Sequence, residues 1–417
     1  MTEPKTPLHI ADYRLFWAAR FLSWFAGSGM VVIIGYQLYD LARQSYGMSI
    51  AQASFMLGVL GFVQFVPMFL MSPIAGVVAD RFDRRHVGAL AVGIDAGMGL
   101  ALAAATQFGW LSMPLVLGLA VAHGVARVFV GPSVGSIAPT IVPPALLPRA
   151  VAMNSMAMQS GTILGPAIAG LLFGWSPPVF YWIAGGMLAV SIVLLLAIRP
   201  LPPHAANKDV HPFRLIGEGF SYVRGNPFLL GCITLDLFAV LLAGATALLP
   251  VYARDILHVG ATGLGQMRAA PAVGAALLGL ILSVRPLQKR VGVTMLGAVA
   301  VFGLATAVFG LSRNYYLSLA MLGILGAADM ISMFVRGSLV QLHTPDAMRG
   351  RVQAISGLAI GASNELGEME SGIAAALLGA TGAVVLGGIG AVVITVIWAV
   401  IFPQIRRADG FHSQTED

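Results

Sequence analysis

Charge is what this sequence has least of. Only 10% of its 417 residues are Asp, Glu, Lys or Arg, whereas a soluble globular chain carries about 25%. That is too few to cover a water-facing surface. Cysteine is scarcer still. Cys232 stands alone inside an apolar run, which excludes an intrachain disulfide and any cysteine-based zinc site; it reads as a small buried residue. No P-loop pattern occurs, so ATP hydrolysis has no support. Neither a nucleophile–base constellation nor metal-ligand spacing is present, so no enzyme activity, cofactor or metal is expected. Pro4, Lys5, Pro7 and His9 precede the first apolar stretch without the charged–apolar–small order of a cleaved signal peptide. The first helix is expected to serve as its own insertion signal.

What is abundant is apolar sequence, at 58% of residues, with 50 glycines. Glycine is more frequent in membrane helices than in soluble ones. The net charge of +6 does not point to nucleic acid, because the basic residues sit in short clusters between apolar runs. About 20 mostly apolar residues cross about 30 Å of hydrocarbon. Spans are predicted near 17–40, 52–78, 87–106, 111–137, 151–174 and 178–198, and again near 228–252, 262–284, 291–311, 315–341, 352–379 and 381–402. Their very short connections, such as Trp175 to Pro177, call for antiparallel neighbours. With the N-terminus placed in the cytoplasm, eighteen lysines and arginines fall on the inner side, Arg20 among them. Only Arg43, Arg254 and Arg313 fall outside. The positive-inside rule then puts both termini in the cytoplasm of a bacterial inner (plasma) membrane.

The longest polar stretch, Arg199 to Asn226, holds Pro200, Pro202, Pro203 and Pro212. It reads as a cytoplasmic linker (199–227) between a bundle at 1–198 and a bundle at 228–403, with a tail at 404–417. Phe213 to Arg224 suits an amphipathic interfacial helix. The two bundles repeat one another: a constant shift of 202 pairs Pro143 with Pro345, Arg149 with Arg351, Gly165 with Gly367 and Gly170 with Gly372. The expected fold is all-α, twelve transmembrane helices in two pseudo-symmetric six-helix bundles. Parallel repeats of this kind describe transporters that alternate access.

Two motifs carry a family resemblance. The loop after the second span, GVVADRFDRRHVG, resembles the Gly-x-x-x-Asp-Arg-x-x-Arg-Arg loop of the major facilitator superfamily. It implies a gating loop of Gly76, Asp80, Arg81, Arg84 and Arg85, in which Gly76 permits close helix packing and Asp80 makes and releases a partner. The second-half copy, RPLQKR, lacks the aspartate. In span 5, GTILGPAIAG is similar to the glycine–proline motif of the superfamily's exporters, with Ala169 where the family prefers glycine. Gly161, Gly165 and Gly170 offer a small-residue packing face, and Pro166 removes a backbone donor; together they form a hinge motif. Arg127 falls where those exporters carry a buried arginine. The opening VVIIGYQLYDLARQS and the stretch SNELGEMESG resemble the branch that includes the enterobactin exporter. The resemblance implies a monomer.

Ionisable groups inside spans cost about 2.5–3.5 kcal/mol each on insertion scales and are functional candidates by default. They are Asp95, His123, Arg127, Asp236, Arg268, Asp329, Arg336, Glu365, Glu368 and Glu370. His123 and Arg127, four apart, share a helix face. They suit an anionic or catecholate-like substrate, or a structural pair with a carboxylate. Glu365 and Glu368 also share a face, and two close carboxylates resist joint ionisation, which suits a proton carrier. Asp236 and Asp329 are independent proton candidates, or structural partners of Arg268 or Arg336. Arg268 and Glu370 are further substrate-cavity candidates, and Arg336, near the cytoplasmic end, is expected to snorkel.

The expected function is therefore export of a small amphipathic molecule, siderophore-like or drug-like, by proton antiport. The expected partners are that small-molecule substrate, protons and the lipid bilayer. A lysophospholipid flippase or solute importer of the same superfamily is the alternative, and a non-transporting membrane sensor or scaffold the remote one.

Overall fold

The apolar runs become long helices bounded by prolines, polar caps and glycines. The structure, a computed structural model, describes residues 6–201 and 212–411. The first six spans are α1 (Ala11–Gln44), α2 (Ile50–Arg81), α3 (Arg84–Gln107), α4 (Met113–Val134), α5 (Leu147–Trp175) and α6 (Pro177–Ala197). The next four are α7 (Pro227–Leu242), α8 (Gly260–Val284), α9 (Val291–Leu311) and α10 (Tyr315–Leu342). Proline opens α4, α5, α6 and α7, where its missing N–H is no loss. The Asp83 side chain caps α3 by accepting from the Arg85 amide, and Asn226 caps α7 by accepting from Phe228 and Leu229. Such caps are worth about 1 kcal/mol each.

Eleven helical stretches among the described residues are long and apolar enough to cross a membrane. The last of them, Met348–Ile401, has 54 residues, far more than the roughly 20 one crossing needs. It divides at Gly379, whose φ of 75° and ψ of 158° belong to glycine alone. The pieces are α11 (346–378) and α12 (380–401), close to the predicted spans. The predicted span near 228–252 falls within the candidate crossing Pro227–Ile256, but its helix is interrupted. The stretch near 228–252 is not a continuous α-helix: α7 stops at Leu242 and resumes as a 3-10 turn, Ala245–Leu248, and a π turn, Tyr252–Ile256. Between residues 199 and 227 the structure describes a helix, Pro212–Gly225, as predicted.

The helices gather into two compact units. The first takes α1, 63–81 of α2, α3 to α6, and 259–269 at the start of α8. Its core holds Tyr13, Phe16, Met30, Leu38, Met98, Leu102, Phe180 and Tyr181, all under 2% exposed. Two of the buried polar groups there show how such groups are satisfied. Tyr13 donates to the Ala150 carbonyl at 2.7 Å, and Gln37 accepts from Tyr181 and donates to Thr106, both at 2.8 Å. The second unit takes 47–62, the helix Pro212–Gly225, α7, the rest of α8, and α9 to α12. Its core is built on Phe228, Leu229, Cys232, Met295, Val335 and Leu339, with Cys232 fully buried as expected. Leu280, Val284, Leu377 and Val400 are left outside. That pattern suits a protein whose surroundings are lipid.

Candidate functional site

An isolated charge in hydrocarbon is unstable, so the first question for each ionisable side chain is what faces it. In the second unit Asp236 of α7 and Arg336 of α10 form a buried ion pair, each less than 10% exposed. Arg336 therefore does not snorkel, because its guanidinium turns inward to the carboxylate. Asp329 lies two turns before Arg336 on the same face of α10, half-buried and within electrostatic reach of both Asp236 and Arg336. The three make a cluster of two carboxylates and one guanidinium. With both acids ionised its net charge is −1, and one proton brings it to zero.

The acids of α11 sit where that helix is held by glycines. At Gly58 of α2 an added Cβ would lie 2.9 Å from the Met369 carbonyl and 3.1 Å from Cα of Gly372. At Gly61 it would lie 2.9 Å from Glu368 Cβ and 3.4 Å from a Glu368 carboxylate oxygen. Across α11, a Cβ at Gly244, in the break of α7, would meet the Gly367 carbonyl and Ser371 Oγ at 2.6 Å. Glu365 is buried, while Glu368 and Glu370 are half-buried. Backbone therefore runs against backbone on two sides of the acidic stretch. Gly58, Gly61 and Gly244 were not singled out in the sequence. The signal for Gly58 and Gly61 is helical spacing of glycines in α2, which 50 glycines dilute.

In the first unit His123 and Arg127 part company. His123 is 5% exposed and its Nδ1 lies 2.8 Å from Asp95 Oδ1 of α3. Arg127, one turn further, is exposed and has contacts of its own. The expected common face thus gives two environments. Arg268 lies in the part of α8 that belongs to this unit, half-buried and likewise engaged. Arg20, counted above with the inner-side cations, is a buried α1 residue bound to Asn154 of α5 at 3.2 Å.

The loop motif is organised around Asp83. Arg85 is buried and bonds Asp83 at 2.6 Å, and its other nitrogen donates to the carbonyls of Leu196 and Ile198 at the end of α6. A cation there also complements the helix dipole. Arg84 donates to the Ser136 carbonyl at 3.3 Å, and Arg81 is exposed. The Asp80 side chain lies outside the described residues. Gly76 does not pack closely: a Cβ there would meet nothing within 4 Å among the described residues. The sequence signal for Asp83 was its place directly before a helix.

The α5 motif packs as its residue types require. A Cβ at Gly161 would lie 2.8 Å from both Trp24 Cβ and the Phe25 amide of α1, and one at Gly165 would strike Ser28 Oγ and the Phe25 carbonyl. Ser28 donates to the Gly161 carbonyl at 2.9 Å. Pro166 lies inside the helix and leaves the Thr162 carbonyl without its usual donor. Gly170 faces Gly265 of α8, where an added Cβ would come within 2.9 Å of the backbone. On the second unit's polar edge, Glu218 of the helix Pro212–Gly225 pairs with Arg351 at 3.0 Å. They border a cavity of about 610 Å³ that Tyr222, Asn226 and Met348 also line.

A family model described as Major Facilitator Superfamily matches residues 16–367. The enterobactin exporter EntS of Shigella boydii serotype 18 is 28% identical over 324 residues, 74% of this chain and 76% of that protein. EntS of Escherichia coli O1:K1 matches over the same extent at the same identity. Of solved structures, the POT family transporter PepTSo has a TM-score of 0.74 at 14% identity, covering 97% of this chain and all of that one. A D-xylose–proton symporter gives 0.71 at 14%, covering 95% and 98%. At those identities the likeness is one of fold.

Proposed function

The chain belongs to the major facilitator superfamily and is a multi-pass membrane transporter, not an enzyme; on that premise we propose that it exports a small amphipathic molecule, siderophore-like or drug-like, by proton antiport with alternating access. Export and the siderophore class rest on the likeness to EntS. The observation that carries the coupling is the cluster of Asp236, Arg336 and Asp329. A low-dielectric site holding two acids and one fixed cation is one proton short of neutrality. Asp329 is the proton carrier in this reading, because Asp236 is already committed to Arg336. Glu365 and Glu368 are the second pair able to hold a proton.

Exposed Arg127, with half-buried Arg268, is assigned to the substrate. The loop Gly76–Arg85 is assigned to gating, and Gly161, Gly165, Pro166 and Gly170 to the hinge. Two six-helix bundles joined by the 199–227 linker, a monomeric state, and cytoplasmic termini in a bacterial inner membrane complete the proposal. The last rests on the charge bias of the loops. The test is metabolite profiling of a deletion strain, medium against cells, in iron-poor and iron-rich growth. Export predicts that one compound rises in the cells and falls in the medium, and that the plasmid-borne gene restores it. Unchanged partitioning of every compound under both conditions rejects the reading.

A further inference from the structure

The Asp95–His123 pair is left over from the transport reading and has a chemistry of its own. Asp95 sits midway along the 24 residues of α3 and His123 midway along the 22 of α4. Both are therefore near the middle of their crossings. Both are under 10% exposed, and Nδ1 to Oδ1 is 2.8 Å. An ionised carboxylate only accepts hydrogen bonds, so the Nδ1 facing it must carry the hydrogen. In the neutral ring that leaves Nε2 as a bare lone pair. This Nε2 is buried and has no hydrogen-bond partner among the described residues, a costly condition inside a protein.

Among the described residues, Asp95 is the charged side chain bonded to this ring. The neighbouring residue Gly124 lies against the Gln64 backbone and Pro67 of α2, which bring no charge. Buried Arg20 of α1 is turned to Asn154. Arg127 of α4 is exposed and has contacts of its own. Asp95 is the carboxylate that the structure sets against this ring at 2.8 Å.

We propose that Asp95 and His123 form a proton-binding dyad in the first half of the chain, separate from the acid cluster of the second half. The step is the capture of one proton by the Nε2 lone pair. The new N–H makes the ring an imidazolium, Asp95 stays a carboxylate, and the net charge of the pair goes from −1 to zero. Asp95 is the positioning residue: it fixes which nitrogen is free, and it balances the charge that arrives. The dyad does not rest on the antiport reading, since it binds its proton whether or not that proton crosses the membrane.

The test is nitrogen NMR of the full chain in lipid nanodiscs with labelled histidine. The eight histidines are assigned by His123→Gln or, if that variant does not fold, by replacing the other seven in turn. In alkaline buffer the His123 signal should show a protonated Nδ1 and a bare Nε2, and on acidification Nε2 should become protonated as well. Asp95→Asn should lose the single-tautomer signal. An alkaline ring protonated at Nε2 overturns the proposal. So does a ring whose Nε2 stays bare over the whole pH range in which the protein remains folded. Proton-gradient-independent transport would sink the antiport reading and leave this one standing.

Discussion

At the scale of single residues, the account separates acids that hold the fold from acids that carry protons. Asp236 is tied to Arg336 in a buried pair. Removing one partner of such a pair leaves an uncompensated charge, at a cost of about 3–5 kcal/mol. Asp236→Ala should therefore lower the thermal unfolding midpoint of the purified protein sharply. Asp329→Asn should leave it nearly unchanged, because the pair survives.

The loop gives a pH prediction. Burial alone would raise the Asp83 carboxyl, but hydrogen bonds from the Arg85 side chain and amide, with the charges of Arg85 and His86, outweigh it. They hold the group below its ordinary value. A folded value below the unfolded one means stabilisation that is fully present above the unfolded value and lost as pH falls through the folded value. Amide exchange across 83–87, corrected for its intrinsic rate, should rise in acid, and Asp83→Asn should remove that response.

The sequence made these residues visible because a charge in an apolar run is rare and costly. It did not show the pairings. Asp236 and Arg336 are a hundred residues apart, and the place of Asp83 before a helix signals a cap, not an ion pair with Arg85.

At the scale of elements, close packing through glycine is the recurring device, and it is selective. Gly165→Leu places a branched side chain against Ser28 and the α1 backbone. Overpacking of a well-filled contact costs about 1–3 kcal/mol and occasionally more, so folded yield should fall in size-exclusion chromatography. Gly76→Ala meets open space and should leave yield unchanged or slightly higher, since alanine favours helix by about 1 kcal/mol over glycine. Gly61→Val crowds the Glu368 side chain. If that carboxylate binds a proton, the pH profile of transport should change in this variant and not in Gly76→Ala.

The elements themselves were largely legible, because membrane helices announce themselves by length and hydropathy. The break in α7 was not. The sequence from Leu242 to Tyr252 is apolar apart from Thr246, and at the break Gly244 packs against Gly367 and Ser371 of α11. A repeat offset flagged Gly367, but no pattern within one segment reports what another presses against it.

At the scale of the whole molecule, fold class followed from scarcity of charge, and family from one loop and one helix motif. The transported compound did not follow, because selectivity lies in a few side chains from distant spans whose joint geometry no linear pattern encodes. The central claim is that export is coupled to an opposing proton flux through Asp329. The direct measurement takes enterobactin, named for the EntS relatives, as a siderophore probe and follows its movement in proteoliposomes of the purified chain, with and without an imposed proton gradient, for the unaltered protein and Asp329→Asn. The account predicts that the gradient drives enterobactin against the direction of proton flow. In Asp329→Asn that drive should disappear while exchange of labelled for unlabelled enterobactin persists. Enterobactin movement at the same rate with and without the gradient in the unaltered protein would contradict it.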